Sequence, residues 1–231
     1  MKYIIILLLT LSASLNSFAQ DIAERTRRLT PEVTEKYHVL KSNDTIMQGQ
    51  YTAYLNKKLL AVGNYDQNKK IGTWTFFDKH NQPSQRYNYT TKTLLFEAPE
   101  NSADGVRYIV DDSLKTDYTF SRPARIGGRY YGYLNYVNLI RLPEELRNLS
   151  NESYKTTIEL LVSPGGRLAE FKFRVHSAYS ALDVNDVVLS LNLKLIKDED
   201  KIFIPAKLNG NPVSIRIIIP CQFYKSDMVR L

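Results

Sequence analysis

Few side chains in this sequence combine the residue types and spacing that chemistry requires. The three histidines, His38, His80 and His176, lie in three different regions, and none has a second ligand residue at metal-binding spacing. The single cysteine, Cys221, follows an apolar run where a small buried residue is expected rather than a nucleophile. The sequence contains no Gly-x-Ser-x-Gly elbow, phosphate loop or dinucleotide fingerprint. We therefore predict no metal, no cofactor and no catalytic residue, and we expect a protein that is not an enzyme.

The acidic pairs have structural explanations. Glu144-Glu145 and the pair Asp183 and Asp186 fall where helices are expected to begin, and carboxylates are favourable at helix N-termini. Asp111-Asp112 follows a short alternating run and is expected to lie in a solvated turn. His176-Ser177 lacks a residue in view that could orient the imidazole as a base. Binding is thus a better expectation than hydrolysis.

The clearest pattern lies near the C-terminus. Asn209-Gly210 predicts a tight turn, because both residues tolerate a positive φ, and Pro212 predicts extended backbone after it. A mostly β-branched strand follows, which consists of Val213, Ser214, Ile215, Arg216, Ile217, Ile218 and Ile219. Alternation places the odd-numbered apolar residues on one face and Arg216 on the other. Pro220 is expected to end the strand, because proline cannot donate a ladder hydrogen bond.

This run resembles the closing segment of the TonB C-terminal domain family. The residues that carry the resemblance are Phe203, Pro205-Ala206, Gly210-Asn211-Pro212-Val213 and Pro220-Cys221-Gln222-Phe223. Upstream, the order of Gly127-Gly128, a helical stretch, Leu142-Pro143-Glu144-Glu145, a hairpin that turns at 163–166 and a helix opened by Leu182-Asp183 is similar to that of the family. The resemblance spans about residues 126–223. It implies a small antiparallel sheet with helices on one face, whose last strand can accept a partner peptide as an added strand.

A repeat precedes this region. Gly49-Gln50-Tyr51 recurs 23 residues later as Gly72-Thr73-Trp74, which predicts stacked hairpins over about residues 48–96. The run Gly72-Thr73-Trp74-Thr75-Phe76-Phe77-Asp78 resembles the MORN repeat. The turn glycine of that repeat is replaced here, so Asn81 is expected to supply the positive φ.

The remaining segments complete the predicted domain order. Residues 1–19 resemble a cleaved signal peptide, with an apolar region followed by Ser17-Phe18-Ala19; an uncleaved membrane anchor is the alternative. Residues 20–47 are predicted to form a helical lead-in that Thr30 caps, and residues 97–125 a linker with one possible strand at 106–110. Val184, Val187, Val188, Leu191 and Leu195 are spaced as the apolar stripe of a helix, and residues 224–231 form a tail.

These features predict an exported, periplasmic α+β protein with an N-terminal antiparallel β-repeat and a small C-terminal sheet domain. Its formal charge of +7 is spread without long basic runs, so nucleic acid is not an expected partner. We expect a non-catalytic binding or adaptor module that takes an envelope or outer-membrane protein, such as a receptor peptide, on strand 213–219. Arg216 is expected to contact an acidic partner.

Two alternatives remain open from the sequence. One is a TonB-type component of outer-membrane transport, which requires the N-terminal segment to stay as an anchor. The other is a structural protein that self-assembles, for instance as a homodimer through the same strand.

Overall fold

The computed structural model describes residues 21–99, 105–110, 118–179, 186–225 and 227–231, so the predicted signal peptide, Asp111-Asp112 and Asp183 lie outside the described residues. This part of the chain is mainly antiparallel β-sheet with one short α-helix. The first seven strands are Ile22–Arg28 (β1), Val33–Leu40 (β2), Asn43–Leu55 (β3), Lys58–Asp66 (β4), Lys69–Phe77 (β5), Pro83–Asn88 (β6) and Thr93–Glu97 (β7). The later strands are Arg107–Val110 (β8), Phe120–Ser121 (β9), Ala124–Arg125 (β10), Tyr154–Val162 (β11), Leu168–Ser177 (β12), Val187–Ser190 (β13), Phe203–Ile204 (β14), Ala206–Leu208 (β15), Asn211–Val213 (β16), Ile215–Tyr224 (β17) and Met228–Arg230 (β18).

Strands β1 to β7 form one antiparallel meander in which every strand pairs with its neighbours in sequence. The turns use residues that tolerate a positive φ, and Asn81 does so with φ 64°, as the sequence predicts. Asp78 holds this turn, because its Oδ1 accepts hydrogen bonds from the backbone N–H groups of His80 and Gln82, each at 2.8 Å. A predicted antiparallel hairpin array is therefore present.

Aromatic rings stack along the inner face of this sheet. The Tyr51 and Trp74 ring centroids lie 5.1 Å apart, and Trp74 also contacts the edges of Tyr65 and Tyr89 at 5.2 and 5.6 Å. Gly63 lies beneath Trp74, where a Cβ would come within 2.2 Å of the indole carbons. The ring packing thus needs a glycine at this position. The packed rings join the two copies of the sequence repeat into one core.

The predicted helical lead-in at 20–47 is wrong for the described residues 21–47, which form β1, β2 and the start of β3. The alternation of buried Val33 and Glu35 with more exposed neighbours has the period of a strand. The Thr30 hydroxyl does act as a cap, but in a tight turn: its Oγ1 accepts from the Val33 N–H at 3.0 Å. A hydroxyl-bearing residue followed by proline is typical of a tight turn as well as of a helix start. Here the pairing of the strands on either side favours the turn.

The second sheet has the order β13-β12-β11-β17-β18, and β8 also pairs with β17. The β11–β12 hairpin turns at 163–166 as predicted. The inner face of this hairpin is apolar and packs in one core with Tyr136, Ile140 and Leu142, which precede the hairpin in the chain. Two small sheets, β10-β14 and β16-β15-β9, complete the unit, and the β15–β16 turn has Asn209 and Gly210 at φ 51° and 82°, as the sequence predicts.

Three further expectations for this unit are wrong. The described part of the predicted helix after Asp183 is a strand, Val187–Ser190, followed by a 3-10 turn at Leu193–Leu195, because its β-branched run completes a ladder on β12. The tail at 224–231 contributes β18. The final strand runs through Pro220 to Tyr224, and this proline lies where the edge opposite β11 has no strand partner among the described residues.

A short connector joins the two sheets. It contains a 3-10 turn, Tyr131–Tyr133, and a helix, Leu134–Val137 (α1). Tyr131 stacks on Phe76 of the first sheet at 5.6 Å, and Leu134 belongs to the same core. Tyr136 and Val137 pack in the core of the second sheet. The connector is therefore shared by both cores.

Further 3-10 turns lie at Glu144–Leu146 and Asp198–Lys201. Asp200 is buried, with Oδ1 2.6 Å from Nη2 of Arg125 and Oδ2 accepting from Asn135 at 2.9 Å. Arg125 also donates to the Ile202 carbonyl at 3.1 Å. This ion pair fixes the connector against the C-terminal sheets, and no periodic pattern of residues predicts it.

Candidate peptide-binding edge and adjoining cleft

The predicted binding strand lies inside the second sheet, between β11 on one side and β8 and β18 on the other. Ile215, Ile217 and Ile219 point into the core, with at most 4% of their surface exposed, so the predicted alternation is confirmed. Val213 ends the preceding strand β16 opposite Ala206, and Ser214 links β16 to β17. Ile218 is also buried, on the opposite face of β17.

Both edges of this strand carry a partner. β11 pairs with β17 from Ile215 to Cys221, and β8 pairs on the other side from Ile215 to Ile218. The strand that the sequence predicts at 106–110, within the linker, belongs to the C-terminal sheet. Strand 213–219 is consequently not an open edge in this structure, and a peptide can pair there only if β8 leaves.

Arg216 is already engaged within the chain. Its Nη1 lies 3.3 Å from Oε2 of Glu170 and 3.9 Å from Oε2 of Glu159, and a quarter of its side chain is exposed. Hydrogen bonds from Lys172 and Arg216 hold the pKa of the half-buried Glu170 carboxylate below its usual value. The expected contact of Arg216 with an acidic partner would have to compete with these internal carboxylates.

The charges around Arg216 form a balanced set on the outer face of the sheet. Arg174 donates through Nε to Glu159 at 2.7 Å and through Nη1 to Asp186 at 3.0 Å, and these carboxylates raise the pKa of Arg174. Lys172 pairs with Glu170 at 2.9 Å. Three cations therefore face three carboxylates, and this outer face offers little net attraction for a charged peptide.

The covering strand β8 is short, and its two faces differ. Tyr108 and Val110 pack against the core of the second sheet, together with Val106 just before the strand. Ile109 and Arg107 lie on the other face and are exposed, Ile109 by 43%. The alternation of this segment predicts a strand but not its partner, because alternation indicates which residues are buried without showing against which sheet.

A cleft of about 610 Å³ adjoins the N-terminal end of β8. Its walls come from the β5–β6 turn, the ends of β7 and β8, the connector and the outer part of the second sheet. The uncovered stretch of β17, Ile219 to Cys221, lines it. His80 and His176, which the sequence places in different regions, both line this cleft. A volume of this size suits a ligand or several peptide residues.

The Cys221 thiol is buried at the edge of the cleft. Burial raises its pKa to about 12, against the opposing effect of a hydrogen bond with Thr156. At neutral pH the thiol is therefore protonated, which makes it a poor nucleophile. Within the described ranges, no three His, Cys, Asp or Glu side chains are grouped so that they could hold a metal ion.

No helix in the described part of the chain is long and apolar enough to cross a membrane. Comparisons with protein-family models, with curated proteins and with solved structures found no match to this chain.

Proposed function

We propose that this protein is an exported, non-catalytic binding or adaptor module of the cell envelope, which takes an extended peptide of a partner protein on β17 in place of β8. The observation that carries the proposal is the arrangement of β17. One edge of this strand is held by the nine-residue strand β11, whereas on the other edge β18 pairs only at Gln222 to Tyr224 and the stretch Ile215 to Ile218 is held by only four residues of β8. Because β8 is short, another strand can replace it along this edge of β17.

The energetics of β8 support exchange. Fixing four residues costs about 1 kcal/mol or more each, and about four ladder hydrogen bonds return a similar amount. Net stabilisation of β8 must then come from Tyr108 and Val110, which are only partly buried. A partner strand with similar side chains and a longer ladder would therefore bind in its place.

The sequence resemblances agree with this role. The C-terminal region resembles the TonB C-terminal domain family, which implies strand addition, and the N-terminal sheet resembles the MORN repeat. A TonB-type role in outer-membrane transport is the second candidate function, and the observation that favours it is the same covered edge. A self-assembling structural protein is the third, in which a second copy supplies the added strand.

A photo-crosslinking test separates these functions. A benzoylphenylalanine residue at Arg216, beside Ile109 of β8, would be placed in the exported protein in cells with an intact envelope. Mapping the crosslinked segment to an extended region of another envelope protein supports the adaptor role, and a receptor segment supports the transport role. Capture of the same chain alone refutes both and leaves self-assembly. The same probe at Lys172, two strands away on the same face, is the matched control.

A reversible lock tests the exchange itself. Arg107 and Ile218 are opposite each other in the ladder, so cysteines at both positions can form a disulfide across it once Cys221 is replaced by alanine. The oxidised protein should lose the crosslink from position 216, and reduction should restore it. Equal capture by the locked and the reduced protein would show that β8 exchange is not involved.

A further inference from the structure

We infer that the partner peptide is selected by an aromatic residue with apolar residues two positions before and after it, the pattern that Val106, Tyr108 and Val110 form in β8 and just before it. This inference rests on the function proposed above, because it assigns the chemistry of the peptide that replaces β8. It predicts an antiparallel orientation to β17, as β8 has.

The inner face of β8 shows what the second sheet accepts. Val106, Tyr108 and Val110 pack against the apolar core, at the two-residue spacing of one strand face. Tyr108 lies opposite Ile217, which is fully buried. A peptide that takes this place must present apolar side chains at the same three positions, or it leaves part of the core exposed to water.

The middle position is shaped for an aromatic ring. The Arg122 guanidinium lies 6.0 Å from the centroid of the Tyr108 ring, within reach of a cation–π interaction. Burial raises the pKa of the Tyr108 hydroxyl, which keeps the phenol neutral in this place. An aliphatic residue would lose the interaction with the guanidinium, whereas an aromatic ring retains it.

The outer positions of the peptide contribute little to selection. Ile109 and Arg107 are exposed, and the neighbouring charges on β17, β11 and β12 are balanced within the chain. Selection therefore depends on the inner face, which is the opposite of the charge-based selection through Arg216 that the sequence suggested.

Fluorescence anisotropy with three synthetic peptides tests this. The probes are fluorescein-labelled Gly-Val-Arg-Tyr-Ile-Val, the same peptide with serine at the tyrosine position, and the same peptide with serine at the isoleucine position. The full-length receptor carries Tyr108→Ser, which weakens its own β8, and the matched control carries Ile109→Ser, which does not. Val110→Thr is a second weakened receptor in case the first does not fold, as judged by circular dichroism.

The weakened receptors should bind the unmodified peptide more tightly than the control, because a tethered β8 competes at an effective concentration of about millimolar. Serine for tyrosine in the peptide should weaken binding by about ten-fold or more. Serine in place of isoleucine in the peptide should change its affinity by no more than about two-fold.

The outcomes distinguish the two proposals. If the three peptides bind the weakened receptors with equal affinity, aromatic selection is refuted while strand exchange stands. If no peptide binds a folded, weakened receptor, strand exchange on β17 is itself refuted.

Discussion

Gln85 joins the two sheets through one side chain, and its replacement should uncouple them. The residue is fully buried. Its Oε1 accepts from the backbone N–H groups of Gly127 and Gly128, at 2.8 and 3.0 Å. Its Nε2 donates to the Arg125 carbonyl at 3.0 Å and to Glu97 at 2.6 Å. All the polar atoms of the amide are thus used to hold the start of the connector against β6.

The cost of Gln85→Leu follows from the groups that it leaves unpaired. Two buried N–H donors and one buried carbonyl lose their partner, and each costs about 1 to 1.5 kcal/mol, so the free energy of unfolding should fall by about 4 kcal/mol. The pKa of Glu97, which burial already raises and the Gln85 hydrogen bond lowers, should rise further. For a domain with total stability of about 5 to 15 kcal/mol this is a large fraction.

Urea unfolding measured with two probes checks this prediction. Trp74, the only tryptophan, reports on the first sheet, and far-ultraviolet circular dichroism reports on the whole chain. The two transitions should coincide in the natural protein and separate in Gln85→Leu. Gln50→Leu, at an exposed position of β3, is the control. A loss of less than about 1 kcal/mol in Gln85→Leu would show that the connector is held by its rings alone.

Three further predictions concern packing, pH and local stability. Gly63→Ala should lower the free energy of unfolding by about 3 kcal/mol, because its Cβ meets the Trp74 ring; Gly165→Ala, with ordinary contacts, is the control in the same urea titration. Burial raises the pKa of Tyr136 from 10.0 to about 12, so the folded state keeps a proton that the unfolded state loses, and stability should fall as pH rises above 10. A tyrosinate absorbance titration that reaches completion before any loss of circular dichroism would contradict this. Amide hydrogen exchange should be faster by about ten-fold or more at 107–110 than in β11, and equal protection would argue against an exchangeable cover.

Local signals in the sequence predicted the parts of the fold that depend on a few neighbouring residues. The turn at Asn209-Gly210 and the positive φ of Asn81 follow from backbone preferences that act within two or three positions. The Tyr51 and Trp74 stack follows from the repeat spacing, since equivalent residues of consecutive hairpins lie side by side. The inward face of β17 follows from alternation.

The predictions that failed depend on partners distant in sequence. Val187 and Val188 fit a helical stripe as well as a strand, and the available edge of β12 decided between them. The cover of β17 by β8 joins residues about a hundred positions apart, and no local pattern records which edge a short strand will take. Arg125 and Asp200 are of the same kind, because a buried ion pair has no periodicity that would show it.

The connector limits how this protein can be divided. Tyr131 and Leu134 contribute to the first core, while Tyr136 and Val137, a few residues later, contribute to the second. A fragment that begins after β7 would keep Tyr131 and Leu134 without the sheet that buries them, and a fragment that ends there would leave Phe76 uncovered. Neither sheet is therefore an independent folding unit. Their shared connector makes them a pair that must be expressed together and exchanged between proteins together.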